Sequence, residues 1–267
     1  MDEDRQLSRE WGLEFLERGR RSEERYEDEI LSGLISGQLG IRAQGLYRGL
    51  GVGLSLLTVL ASCTLGCRCT DHVLENLTRR FINYILAALR LACRGYYDEA
   101  IALTRCIAEL LNLLQLFQCD GMRIAEWSTA DERTRREQFS PVNVRRSIEA
   151  LGATPLINRE AYAALCEAGV HLTPASATQS HDLEGERVFV GPHLSVAGVI
   201  LVLSELGFML AEALPLANHL FAVPQQHFDA GEHVRTSLLN KVGLGEMRIT
   251  NYKAALEWFK REANTPS

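Results

Sequence analysis

The sequence predicts an all-α protein, a multi-helix bundle in a single domain, and three observations carry that prediction. Apolar residues recur at helical spacing over long stretches, above all from Tyr96 to Phe117 and from Leu194 to Leu220. Helix stops and starts are written in pairs: Arg94-Gly95 ends one segment, Ser140-Pro141 opens another that Gly152 closes, and Thr154-Pro155 opens a third that Gly169 closes. No run of alternating residues makes a strand, Arg187 to Val190 (RVFV) being the only short candidate.

Taken in order, residues 3–30 read as a highly charged helix whose few apolar residues are Trp11, Leu13, Phe15 and Leu16. The division expected is a charged N-terminal helix over 1–40 and a helical bundle domain over 41–267. Gly33, Gly37 and Gly40 loosen the chain before an apolar helix over 43–64. Asp71 is placed to cap a helix running to Leu91, followed by the helix from Tyr96, which Gly121 ends. Helices follow from Pro141 and from Pro155. His171 to Pro192 has the Ser, Thr, Pro and Gly content of a long loop. A long apolar helix from Leu194 contains Pro215, and a last helix covers Asn251 to Glu262. The fragments GYYDEAIAL and NYKAALEWF each suggest half of a helical repeat, but no 34-residue period links them.

Charge and cysteines narrow the function classes. The net charge of -6 comes almost entirely from residues 1–30, where 11 acids face 6 arginines, so no global charge draws the chain to nucleic acid or anionic lipid. The 7 cysteines are an odd number scattered along apolar segments, which reads as reduced thiols in a cytoplasmic protein. Cys63, Cys67 and Cys69 lie close together, yet no second cluster of Cys or His completes a zinc site, so no metal and no cofactor is expected. The acidic N-terminus lacks the apolar run of a signal peptide. Gly49 to Cys67 is uncharged but rich in Gly, Ser and Thr, and is expected to pack inside a soluble domain rather than span a membrane.

Candidate site residues are polar groups that interrupt apolar helices. At about 100° per residue, Asp98, Arg105, Glu109 and Asn112 share one face of an otherwise apolar helix. Such a stripe is either an internal ion pair or the wall of a cavity, and Arg105 with Glu109 at i, i+4 is expected to be largely buried. His72, Asn76, Arg79, Asn83 and Arg90 form a second stripe, read as a solvated face. Glu205, Glu212 and His219 form a third on the late apolar helix. His171, His181 and His193 sit in or beside the long loop, where an exposed imidazole suits acid–base chemistry. Arg133, Arg135, Arg136, Arg145 and Arg146 make the only basic cluster, a possible phosphate contact diluted by Glu132, Glu137 and Glu149.

At LRLACRGYYDEAIALTRCIAELLNLLQLF the chain resembles helical bacterial proteins of the broad HEPN-like set and their uncharacterised relatives. The pattern is carried by Gly95, Tyr97, Ala100, Arg105 and Glu109. A later Tyr…Ser/Cys…His pattern matches Tyr162, Cys166 and His171, and the resemblance covers residues 80–220. It implies a metal-independent ribonuclease, or an RNA- or nucleotide-binding protein, of bacterial defence or toxin-type stress response. The family's Arg-x4–6-His motif corresponds to Arg187 and His193, although Gly191-Pro192 interrupts it. In that reading His171 or His193 serves as general acid and base, with Arg105 or Arg187 stabilising phosphorane charge. Glu109 completes the catalytic set, and Asp98, Asn112, Arg145, Arg146, Glu205 and Glu212 form the binding set. A homodimer is expected, along with a protein partner for the acidic N-terminal helix. The rival expectation is a non-enzymatic helical interaction protein.

Overall fold

The computed structural model describes residues 2–65, 71–169 and 190–242, and among these it is all-helical. In chain order the helices are α1 (Asp2–Ser36), α2 (Ile41–Ala61), α3 (Val73–Cys93), α4 (Tyr97–Cys119), α5 (Met122–Thr129), α6 (Glu132–Gln138), α7 (Pro141–Ala150), α8 (Arg159–Gly169), α9 (Val196–Leu220) and α10 (Gln225–Val242). The expected helix over 251–262, residues 187–189 of the RVFV segment, His181, and Cys67 and Cys69 lie outside the described residues, and Val190 is exposed and outside any helix or strand.

Two apolar helices, α4 and α9, pack on each other at the centre. α3 lies against both, α2 and α10 cover α9, and α7 and α8 cover the other side of α4. The core runs continuously through these contacts, with Phe81, Ile101, Leu111, Leu203 and Leu210 almost fully buried. α4 and α9 are also the two described helices long and apolar enough to cross a membrane, and 67% and 83% of their apolar windows are buried by other helices. The Gly49–Cys67 segment is not among them. Its helical part, which ends at Ala61, is two-faced, with Leu50, Leu54, Leu57 and Leu60 inward and Val52, Ser55 and Thr58 exposed.

The glycines of α2 explain its composition. Gly45, Gly49 and Gly53 recur every four residues and form one groove of the helix. A Cβ on Gly49 would stand 2.6 Å from Leu238 Cδ2, and one on Gly53 would stand 2.7 Å from Leu210 Cδ2. The groove is where α10 and α9 approach α2 most closely, so side chains larger than hydrogen are excluded there. By contrast, a Cβ on Gly51 meets nothing within 4 Å.

The N-terminal helix divides into two parts. Ile30 and Leu34 are buried in the core, and Arg94 bonds Glu27 at 2.8 Å while the Tyr96 hydroxyl donates to Glu23 at 2.8 Å. Leu13, Phe15 and Leu16, among the few apolar residues of its first half, are 61%, 58% and 67% exposed.

Several boundaries differ from the sequence expectation, each for a local reason. Asp71 does not cap α3: the N-cap is His72, in a left-handed conformation and without a side-chain cap bond. Thr154-Pro155 does not open a helix either. The backbone of 154–157 is held by side chains of α4, and α8 starts later, where Asn158 Oδ1 accepts from the Ala161 amide at 2.8 Å. The sequence reading has no helix at α5, α6 or α10. The first two are a turn or two long, and α10 mixes Asp, Gly, His and Asn into a weak apolar period. α9 runs unbroken through Pro215.

The α2 groove gives a direct expectation for denaturant unfolding. Gly49→Leu lowers stability by about 1–3 kcal/mol through overpacking. Gly51→Ala raises it by about 0.5–1 kcal/mol through helix propensity. Equal effects of the two substitutions would contradict the groove.

Candidate functional site

A cavity of about 280 Å³ opens on the side of α4 that α3, α7 and α8 flank. α4 contributes Cys106, Glu109, Leu110, Asn112 and Leu113, and α3 contributes Leu77, Arg80 and Tyr84. α7 adds Pro141, Val144 and Arg145, α8 adds Tyr162, and the rings of Trp127 and Phe139 close one wall. Trp127 is held edge-on against Phe117, with ring centroids 6.2 Å apart. Aromatic and aliphatic walls with a few convergent polar groups are the usual make-up of a small-ligand site.

The polar groups form one connected cluster. Glu109 Oε1 accepts from the Tyr162 hydroxyl at 2.6 Å and from Arg105 Nε at 3.1 Å. Arg105 Nε also donates to the Tyr162 oxygen at 3.1 Å, so the three residues close a triangle. The Tyr162 bond and the Glu109 carboxylate hold Arg105 above even the usual arginine range. Burial, and then the bond to Glu109, pushes the Tyr162 phenol up to about 12. Tyr162 is therefore a neutral proton donor over the physiological range. Burial raises the Cys106 thiol too, with Glu109 adding to the shift, so it does not present a thiolate to the cavity.

Arg145 is the unusual member. It is only 9% exposed, its guanidinium lies over the Tyr162 ring 4.7 Å from the centroid, and its Nη1 is buried with no hydrogen-bond partner. A buried, unsatisfied charged nitrogen costs a few kcal/mol unless something else supplies the acceptor. The adjacent Arg146 is exposed and bonds Asn143 at 3.4 Å, so the two neighbours have separate roles. Helix geometry accounts for this. Val144 and Ile148 mark the buried stripe of α7, and at about 100° per residue Arg145 lies about 60° from Ile148 whereas Arg146 lies about 160° from both. The rest of the basic cluster is surface: Arg133 pairs with Glu137 and Arg136 with Glu132 on exposed α6.

α8 is positioned by α4 itself. Asn112 Nδ2 donates to the Ile157 carbonyl at 2.8 Å, and Asn112 Oδ1 accepts from the Ile157 amide at 3.0 Å. Three residues on, Gln115 makes the same pair with the Thr154 carbonyl and the Leu156 amide, both at 2.8 Å. Asn112, expected as a binding residue, thus lines the cavity while spending its amide on the backbone of the α7–α8 connection.

The other expected site residues disperse. His171 and Arg187 lie outside the described residues. His193 is not an exposed loop histidine. It is 9% exposed and packs edge-on against Tyr97, with ring centroids 5.1 Å apart, because the Tyr97 hydroxyl holds the His193 carbonyl at 3.1 Å and the Ser195 amide at 2.9 Å. Tyr97 is eight residues before Arg105, about 12 Å along the helix, so His193 is removed from the cavity. Asp98 is half-buried near the same end of α4. Glu205 is fully buried within α9, Glu212 is half-buried, and neither lines the cavity. The stripe His72, Asn76, Arg79, Asn83 and Arg90 is exposed throughout, as expected. Sequence reasoning did not name Arg80, Tyr84, Trp127 or Phe139. Arg80 lies about 40° from Asn76 and about 60° from Asn83, so it sits at the edge of the solvated stripe, itself exposed while lining the cavity mouth, and the helical period alone does not single it out.

Comparison with protein-family models, curated proteins and solved structures gives no match.

The Arg105–Glu109 pair is bonded as expected, but each side chain is 33% exposed rather than buried. Partial solvent contact reduces the cost of breaking it. Glu109→Ala is expected to lower unfolding free energy by about 1 kcal/mol, measured by urea denaturation, and Tyr162→Phe by a similar amount. A loss of about 3–5 kcal/mol, the value for a buried pair, would contradict this exposure.

Proposed function

We propose that this protein binds a nucleotide unit, free or at the end of an RNA strand, in the α3–α4–α7–α8 cavity, with Arg145 taking the phosphate. The observation that carries the reading is the buried Arg145 Nη1 that lacks an acceptor beside an aromatic-walled cavity. Arg105 neutralises Glu109, which leaves Arg80 and Arg145 as cations lining the cavity against no further lining carboxylate among the described residues. A phosphate supplies the missing acceptor and a compensating charge, and guanidinium groups match its oxygens in pairs. The rings of Tyr84, Trp127 and Phe139 offer flat apolar surface of the kind on which bases stack. Glu109 Oε2, which makes no bond among the described residues, is suited to accept from a ribose hydroxyl or base amine.

Binding is favoured over the cleavage that the HEPN-like resemblance implies. Cleavage of RNA without metal needs a group that exchanges protons near neutral pH within reach of the ribose 2′-OH. Among the described residues no histidine lines the cavity, and the Tyr162 phenol and the Cys106 thiol are both shifted upward.

Calorimetric titration with 5′-AMP and with adenosine tests the reading. AMP is expected to bind and adenosine to bind at least about tenfold more weakly, the ratio reporting the phosphate contact. Arg145→Lys keeps a charge but loses the planar fork, and is expected to weaken AMP binding by about 10- to 100-fold. Equal affinity for AMP and adenosine, or no effect of the substitution in a folded variant, would refute the proposal.

A further inference from the structure

The junction of α2 and α3 brings three side chains of different ligand chemistry to one point, on residues the nucleotide reading does not use. α2 ends at Ala61, and Cys63, just past the C-cap Ser62, takes φ 58°. His72, the N-cap of α3, takes φ 50°. Left-handed backbone outside glycine is uncommon. With this backbone the two side chains meet, Cys63 Sγ standing 3.4 Å from His72 Nδ1. Glu75 follows His72 at i, i+3, on the same face of the first turn of α3, and is 3% exposed although it is a carboxylic acid. The sulfur, a ring nitrogen and a carboxylate oxygen of these residues all lie within 4.8 Å of one another.

We propose that Cys63, His72 and Glu75 form a binding site for a divalent cation of the zinc class. Thiolate, imidazole and carboxylate together are a donor set that zinc accepts, whereas calcium and magnesium take oxygen donors. Tetrahedral zinc with bonds of about 2.3 Å to sulfur and about 2.0–2.1 Å to nitrogen separates those two atoms by about 3.6 Å. The observed 3.4 Å is close to that edge. The remaining edges, at most 4.8 Å, contract to similar lengths by rotation of side chains, and the His72 ring is exposed and able to turn. Three protein ligands leave the fourth position of the shell to water. Binding displaces the proton of the Cys63 thiol to solvent, so affinity rises with pH. The bound ion joins the end of α2 to the start of α3 and adds its binding free energy to the stability of that junction.

The sequence reading of Cys63, Cys67 and Cys69 expects no metal because no partner cluster is visible. The partners are one histidine and one glutamate, the N-cap His72 and Glu75 in the first turn of α3. The test is a titration of the metal-stripped full chain with Co²⁺, followed by displacement with Zn²⁺. One equivalent of Co²⁺ is expected, with the intense near-ultraviolet band of a thiolate–cobalt bond. Cys63→Ser is expected to abolish the band. His72→Ala, a change at an exposed position that leaves the helical circular dichroism intact, is expected to weaken binding by tenfold or more, roughly 1.4 kcal/mol. A Cys67→Ser/Cys69→Ser variant is expected to keep the band. Absence of saturable binding, or a band that survives Cys63→Ser and disappears in the Cys67→Ser/Cys69→Ser variant, would overturn the site.

Discussion

Asn112 and Gln115 sit one turn apart on the central helix α4, and each presents its amide edge-on to the peptide backbone of the α7–α8 connection. Each pair imitates a rung of a β-ladder, with one donor and one acceptor exchanged. Four bonds of this kind are made where Asn112 is 3% and Gln115 7% exposed, and the two to Ile157 satisfy buried backbone groups that would otherwise be costly. Their consequence is geometric. They hold 154–157 out of a helix, delay α8 to Arg159, and set the register that brings Tyr162 over Arg145 and against Glu109. Everything distinctive about the cavity follows from where α8 is made to begin.

The electrostatics of the cavity rest on unequal satisfaction of its charges. Arg105, Glu109 and Tyr162 satisfy one another, and the pair is wet enough that its loss is tolerable. Arg145 has the Tyr162 ring as its neighbour, which attracts a cation but supplies no hydrogen-bond acceptor. The guanidinium is thus left with a buried nitrogen that no protein acceptor meets, which is the observation the nucleotide proposal rests on. Trp127 and Phe139, which line the same cavity, come from or beside the short helices α5 and α6, neither of which contributes a fully buried residue to the core.

Much of the fold was legible in the sequence because α3 and α7 carry a clear helical apolar period while α2, α4 and α9 are long and mostly apolar. The polar stripe of α4 was legible for the same reason, as Arg105, Glu109 and Asn112 stand out only against leucine and isoleucine. The start of α8 was not. Thr154-Pro155 satisfies the local rule for a helix start, and it is overruled by two amides some forty residues earlier, a tertiary contact with no local signature. Arg145 and Arg146 look alike in a composition count, and the α7 period separates them once Val144 and Ile148 are known to face inward. His193 was misplaced because Gly191-Pro192 reads as an exposed loop. Tyr97 and Gly95 instead draw that loop against the start of α4, where a Cβ on Gly95 would come 2.5 Å from the His193 carbonyl oxygen.

Side chains of α4, rather than local propensity, hold the α7–α8 connection and thereby build the cavity. Native-state hydrogen exchange of the Leu156 and Ile157 amides tests it most directly, since both protons go to side-chain oxygens of α4. These two amides, although outside any helix, are expected to exchange as slowly as interior amides of α4, opening only with the core. Exchange at the rate of an exposed loop would contradict it.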